Sequence, residues 1–121
     1  MATRRQLQVG ELVKRQFSSV LFEEGRYIYG PEVMVSVTSV NMSSDLGLAK
    51  IYISVYNTEN KQAVMLSLEE QLYRLKQALQ KKIRKHVRRI PDIALYLDDT
   101  LDEMDKLNRL FDQIHERDEE K

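Results

Sequence analysis

The chain has 121 residues, 42% hydrophobic and 31% charged, a size and balance expected of a single domain spanning 1–121 rather than of a disordered segment. The absence of cysteine excludes disulfides and thiolate metal sites, and no apolar run approaches the ~18 residues of a membrane span. Nineteen Lys and Arg balance nineteen Asp and Glu, but residues 74–89 hold eight bases and no acid, while residues 98–121 hold ten acids and four bases.

Residues 4–23 read as a first helix, with Val9, Val13, Phe17, Val20 and Leu21 at helical spacing and Arg4, Arg5, Lys14 and Arg15 left for water. GRYIYGP, Gly25 to Pro31, stops it with turn chemistry. In VMVSVTSVNM, Val33, Val35 and Val37 alternate with Met34, Ser36 and Thr38, the period of a strand. After the loop SSDLG, Ser43 to Gly47, AKIYISVYN puts Ile51, Ile53 and Val55 on one face and Tyr52 and Tyr56 on the other. The short polar connection suggests an antiparallel pair. Asn57 and Thr58 offer N-caps for a helix running to about Val87, striped by Met65, Leu68, Leu72, Leu75, Leu79 and Ile83. Pro91 breaks that pattern, and IALYLD alternates Ile93, Leu95 and Leu97 as a third strand. Thr100 and Glu103 are spaced as a capping box for a last helix with Leu101, Met104, Leu107, Leu110, Phe111 and Ile114 on its apolar side, and residues 116–121 are expected to fray. The order α-β-β-α-β-α predicts an α+β fold: a three-stranded sheet with helices packed on one face.

The basic run KKIRKHVRRIP, Lys81 to Pro91, is the main functional signal. At about 100° per residue, Arg74, Lys81, Arg84, Lys85 and Arg88 lie opposite the apolar stripe, with Lys82 and Arg89 completing the cluster. The bland alternative is a solvated face whose cations complement the helix macrodipole, at about 0.3–1 kcal/mol each. That accounts for one or two of them. Eight bases without an interleaved acid carry like-charge repulsion that glutamates at i,i+4 would relieve. A phosphate backbone supplies the missing counter-charge, and Arg grips phosphate bidentately. Arg4, Arg5, Lys14 and Arg15 on the first helix can extend the surface.

Exposed aromatics stack single-stranded bases. Among the six tyrosines Tyr52 and Tyr56 are best placed, although tyrosines at the rim of a sheet are the commoner case. His86 and His115 sit in charged helical stretches, Asp98 and Asp99 read as a strand end and a helix cap, and the four glycines give no phosphate-loop spacing. No catalytic residue, cofactor or metal site is expected. Two rivals stay open: a protein-interaction module whose basic helix binds an acidic partner, and a small enzyme acting on RNA. The N-terminal stretch MATRRQLQVGELVKRQF lacks the apolar run of a secretory signal, so a soluble cytoplasmic protein is expected.

Three stretches together resemble one family. SVTSVNMSSDLGLAKIYISV, residues 36–55, carries the Ser-x-Asp-Leu-x-x-Ala-Lys pattern of bacterial ribosome-binding factor A at Ser43, Asp45, Leu46, Ala49 and Lys50. RRIPDIALYLDDTLDEMDKL, residues 88–107, is similar to that family's Arg-x-hydrophobic-Pro-acid-hydrophobic strand and the turn after it, and the N-terminal amphipathic helix is basic in both. The resemblance covers residues 4–112. It implies a KH-type II-like domain (α-β-β-α-α-β) with a C-terminal helix, acting as a monomer on the small ribosomal subunit and its rRNA precursor. The family assists late maturation of small-subunit rRNA, matters most in the cold, and is not enzymatic. It is released often with help from a GTPase, and needs no membrane or small-molecule substrate. The sequence departs from the family in two places. Where the family has an Ala-x-Gly kink, Gln71, Leu72 and Tyr73 stand, with Ser67 and Glu70 as a second candidate boundary. Tyr29-Gly30-Pro31-Glu32 replaces its Asp-Pro-Arg loop, and no glycine follows Lys50, so a Gly-x-x-Gly loop is missing.

Overall fold

A computed structural model of the protein describes residues 2–98. The first helix, α1 (Arg4–Glu24), starts at a capping box: the Gln6 amide donates to Thr3 Oγ1, and the Thr3 amide donates to Gln6 Oε1 at 2.7 Å. Its apolar stripe is the expected one, with Val13, Phe17 and Val20 wholly buried and Val9 and Leu21 nearly so. Burying a side chain of this kind stabilises by about 1.5–3 kcal/mol, so the stripe outweighs any loss from the helix-unfriendly valines.

The expected stop, Gly25 to Pro31, does end α1, but it admits one further helical turn. Gly25 adopts right-handed helical angles (φ −60°, ψ −40°), and one more turn follows as α2 (Arg26–Tyr29). A Cβ at Gly25 would collide with Tyr29 Oη and the Leu21 carbonyl, so the two turns pack this closely only around glycine. The chain leaves at Gly30, whose φ of 91° is a glycine conformation.

The strands β1 (Met34–Met42) and β2 (Leu48–Tyr56) pair antiparallel, as their alternation suggests, and β3 (Asp92–Leu97) pairs parallel to β2 on its other side. The order is β1-β2-β3. The register shifts between Val37 and Ser39, leaving Thr38 as the extra residue of a bulge. The shift matters for packing, because without it Val40 would fall opposite the core face that Val35 and Val37 share with Ile53 and Val55. Ile51, Ile53, Val55, Ile93 and Leu95 are buried against the helices. Tyr52 and Tyr96, directly paired across the sheet, occupy the opposite face.

The long helix expected from Asn57 to about Val87 is two helices, α3 (Lys61–Glu70) and α4 (Leu72–Ile83). Asn60 is the N-cap, its side chain accepting from the Ala63 amide at 3.1 Å. Asn57 instead takes a left-handed conformation (φ 62°) and donates from Nδ2 to the Glu32 carbonyl at 2.8 Å. The break falls at Gln71, one of the three residues at the family's kink position, with φ −103° and ψ 17°. These angles are open to any L-residue, which is why the bend needs neither Ala nor Gly. Both helices keep the predicted stripe: Met65, Leu68, Leu75, Leu79 and Ile83 are buried. The last predicted helix, from Thr100 onward, lies outside the described residues.

Candidate nucleic-acid interface

The basic cluster straddles a helix end rather than covering one continuous helical face. α4 stops at Ile83, four residues earlier than its pattern suggests; the Arg84 amide still donates to the Gln80 carbonyl and the His86 amide to Ile83 at 2.8 Å. Arg84 to Ile90 then form a tight connection into Pro91, which is buried and starts the run into β3. Arg74, Lys81 and Lys82 are therefore carried by α4, whereas Lys85, Arg88 and Arg89 are carried by the connection.

Partners divide the cluster more sharply than position does. Arg74 bonds Glu24, Lys82 reaches Glu23 at 3.0 Å, and both glutamates come from the C-terminal turn of α1 where it packs on α4. Arg74 also lies 6.0 Å from the ring centroid of Tyr27, a contact of cation–π type. Lys76 is held by Asp92 at 2.9 Å. That hydrogen bond, with a second from the Ile93 amide, keeps the Asp92 carboxyl below the usual carboxylate range. Lys81, Arg84, Lys85 and Arg88 are exposed and have no carboxylate partner among the described residues. A cleft of roughly 410 Å³ lies between α1 and α4, lined by Glu23, Glu24, Arg74, Gln77, Lys81 and Lys82.

Arg89 points elsewhere, toward the β1–β2 hairpin. Its guanidinium lies against Gly47 and 3.8 Å from Asp45, with both side chains more than half exposed. Asp45 is chiefly a loop-closing residue: it accepts from Ser43 Oγ at 2.7 Å and from the Gly47 amide at 3.0 Å, while Ser43 Oγ accepts from the Leu48 amide. Those bonds, the Ser43 hydroxyl first, hold the Asp45 carboxyl below its ordinary value. The Ser-x-Asp-Leu pattern is thus a hairpin clasp, with Leu46 in the left-handed region at φ 60°.

On α1 the predicted cations separate. Arg4 and Arg5 are exposed in the first turn, where no acid is present and the helix dipole already contributes positive charge. Gln6 ties this turn to the end of β1, donating to the Met42 carbonyl at 3.1 Å, so Arg4 and Arg5 stand beside the same hairpin end that Arg89 reaches. At 3.6 residues per turn, Arg5 projects on the same side as Glu23, toward α4, and Lys14 about half a turn away from it. Lys14 is half-buried and Arg15 exposed on the outer side, so neither joins the α4 group. The counter-charges at Glu23 and Glu24 are what sequence reading missed. Their only signal there is that they are the sole acids of α1 besides Glu11.

Among the described residues no group of His, Asp or Glu could hold a metal ion, and no helix is long and apolar enough to cross a membrane. The described surface brings together exposed cations around a helix end, a basic helix N-terminus and a hairpin. Together with three strands and the split helix pair on one side, this defines a KH-like α+β module.

Comparison with known proteins narrows the class. The sequence pattern of ribosome-binding factor A matches residues 5–111. The ribosome-binding factor A of Cytophaga hutchinsonii is 34% identical over 94% of this chain and 85% of its own, and that of Gloeobacter violaceus 36% identical over 98% and 92%. The chain belongs to the ribosome-binding factor A family. The crystal structure of ribosome-binding factor A from Thermus thermophilus has the same fold, with a TM-score of 0.58 at 22% identity over 76% of this chain and 94% of that one. A homology model of the Thermus protein fitted into a cryo-EM map of its complex with the 30S subunit gives 0.57 at 21% identity, covering 81% and 96%.

Proposed function

We propose that this protein binds the small ribosomal subunit through the phosphate backbone of its rRNA and assists maturation of that RNA. The cations at the end of α4 are its principal contact. The observation that carries the reading is the state of Lys81, Arg84, Lys85 and Arg88: clustered, exposed, and without a carboxylate partner among the described residues. Mutual repulsion makes such a group unfavourable in the free protein, and phosphate relieves it. Arg4 and Arg5 extend the surface with a helix N-terminus, whose amides favour anions. Arg74, Lys82 and Arg89, occupied by Glu24, Glu23 and Asp45, contribute only when phosphate displaces those partners.

The Thermus relative's 30S complex supports the small subunit as the partner. The mechanism is binding that favours one rRNA conformation, with no bond made or broken. In this reading the protein works in the cytoplasm as a monomer, as one domain, and matters most in the cold. Co-sedimentation with small subunits tests it. Lys81→Glu, Lys85→Glu and Arg88→Glu together should abolish binding at moderate salt, and retention of wild-type binding by a folded triple variant overturns the proposal.

A further inference from the structure

The sheet face turned away from the helices has no role in the phosphate contact. We propose that it is a second nucleic-acid site, a stacking platform for the bases of single-stranded RNA centred on Tyr96 and Tyr52. These two rings stack, with centroids 5.4 Å apart and planes 26° from parallel, and Tyr96 keeps 43% of its surface open on the edge strand β3. Among the described residues no helix crosses this face, since their buried side chains all meet the opposite one.

The chemistry of the face favours RNA over a protein partner. Around the tyrosines are Ser36, Ser39, Asn41 and Lys50, all exposed hydrogen-bonding groups; the exposed Met34 stands at the far end of the face, beside Tyr56, so the centre is not apolar as in a protein interface. Its two carboxylates at the ends of β3 are already engaged, Asp92 by Lys76 and Asp98 by the Thr38 hydroxyl at 2.6 Å. Lys50 is therefore the charge left near the rings, cross-strand from Asn41 and Ala94. The face is also continuous with the basic surface: only Ile90 and Pro91 separate Arg88 and Arg89 from β3, and Arg89 touches the hairpin that carries Lys50. A strand whose phosphates follow Arg84 to Arg89 can lay its next bases along β3 onto Tyr96. Stacking is sequence-tolerant, because every base has a π-face.

The inference rests on the nucleic-acid reading above, and its test separates the two. The full chain is titrated with a short single-stranded oligoadenylate and with an RNA duplex of matched length. Tyr96→Ser should weaken the single strand roughly tenfold and leave the duplex unchanged, while Tyr96→Phe, which keeps the ring, should bind both normally. The Lys81, Lys85 and Arg88 charge reversal should weaken both ligands. The chain has no tryptophan but six tyrosines, so the emission and quenching that disappear in Tyr96→Ser are the signal of that ring, and the single strand should quench it in the wild type. Quenching in the wild type, with photocrosslinks from 4-thiouridine-containing single strands to Tyr96 or Tyr52, also decides the matter should Tyr96→Ser not fold. A single strand that binds without quenching, or a folded Tyr96→Ser that binds like wild type, overturns the platform and leaves the phosphate contact standing.

Discussion

Removing two negative charges from α1 should strengthen RNA binding, by an amount set by the ion pairs. Glu23→Gln with Glu24→Gln deprives Lys82 and Arg74 of their carboxylates while leaving both side chains in place. In the wild type these two cations are neutralised by carboxylates of the protein, so they neutralise no phosphate and displace none of the cations condensed on it. Freed, each adds about 0.7 to the slope of log K against log salt for a single strand, or about 0.9 for a duplex. The double variant should steepen the slope by about 1.4–1.8 and, with lines that meet near 1 M salt, bind about 25-fold (single strand) to 60-fold (duplex) tighter at 0.1 M. Stability should hardly move. The four side chains are between 26% and 54% exposed, and pairs of that kind contribute about 0–1 kcal/mol each. Anisotropy titrations across a potassium chloride series provide the slope. Glu11→Gln is the control, an exposed acid of α1 with no cation partner among the described residues. An unchanged slope in the double variant, or an equal change in Glu11→Gln, refutes the pairing argument, the latter by showing that only net charge counts.

Three further outcomes follow from the fold. Gln71→Ala should shift unfolding free energy by no more than about 0.5 kcal/mol, because φ −103° and ψ 17° suit alanine as well as glutamine; a larger loss in urea melts means the side chain itself holds the kink. Leu75→Ala, at a fully buried position under the α1–α4 contact, should destabilise by about 2–5 kcal/mol in the same assay, and a loss under 1 kcal/mol would contradict the packing described. Asp45 and Asp92 hold carboxyls below their ordinary values, so the unfolded chain takes up protons before the folded one. Their contribution is complete above the ordinary carboxylate range and lost as pH falls through the lowered values. Asp45→Asn with Asp92→Asn should be less stable at neutral pH and lose less from about pH 4 downward; an acid limb identical to wild type would show the two carboxyls are not linked to folding.

Much of the fold is legible because its signals are local. Val9, Val13, Phe17, Val20 and Leu21 mark α1 by spacing alone, and Ile51, Ile53 and Val55 mark the buried face of β2. Boundaries are less legible. Asn57 and Thr58 are the expected caps, yet Asn60 caps the helix, because Asn57 turns left-handed to bond Glu32, a residue 25 positions away. The break at Gln71 leaves no compositional mark, since the apolar stripe runs on through both helices.

What the sequence determined by itself is the inventory: three strands, amphipathic helices, and a block of eight bases between Arg74 and Arg89 that no neighbouring acid offsets. What only the tertiary structure decided is which of those bases remain available. Arg74 and Lys82 find carboxylates 50 and 59 positions away, because α1 and α4 bury their apolar stripes against one sheet and so bring their ends together. Charge interactions fall off with distance in space, not along the chain, and the crossing of two packed helices is invisible to any local pattern.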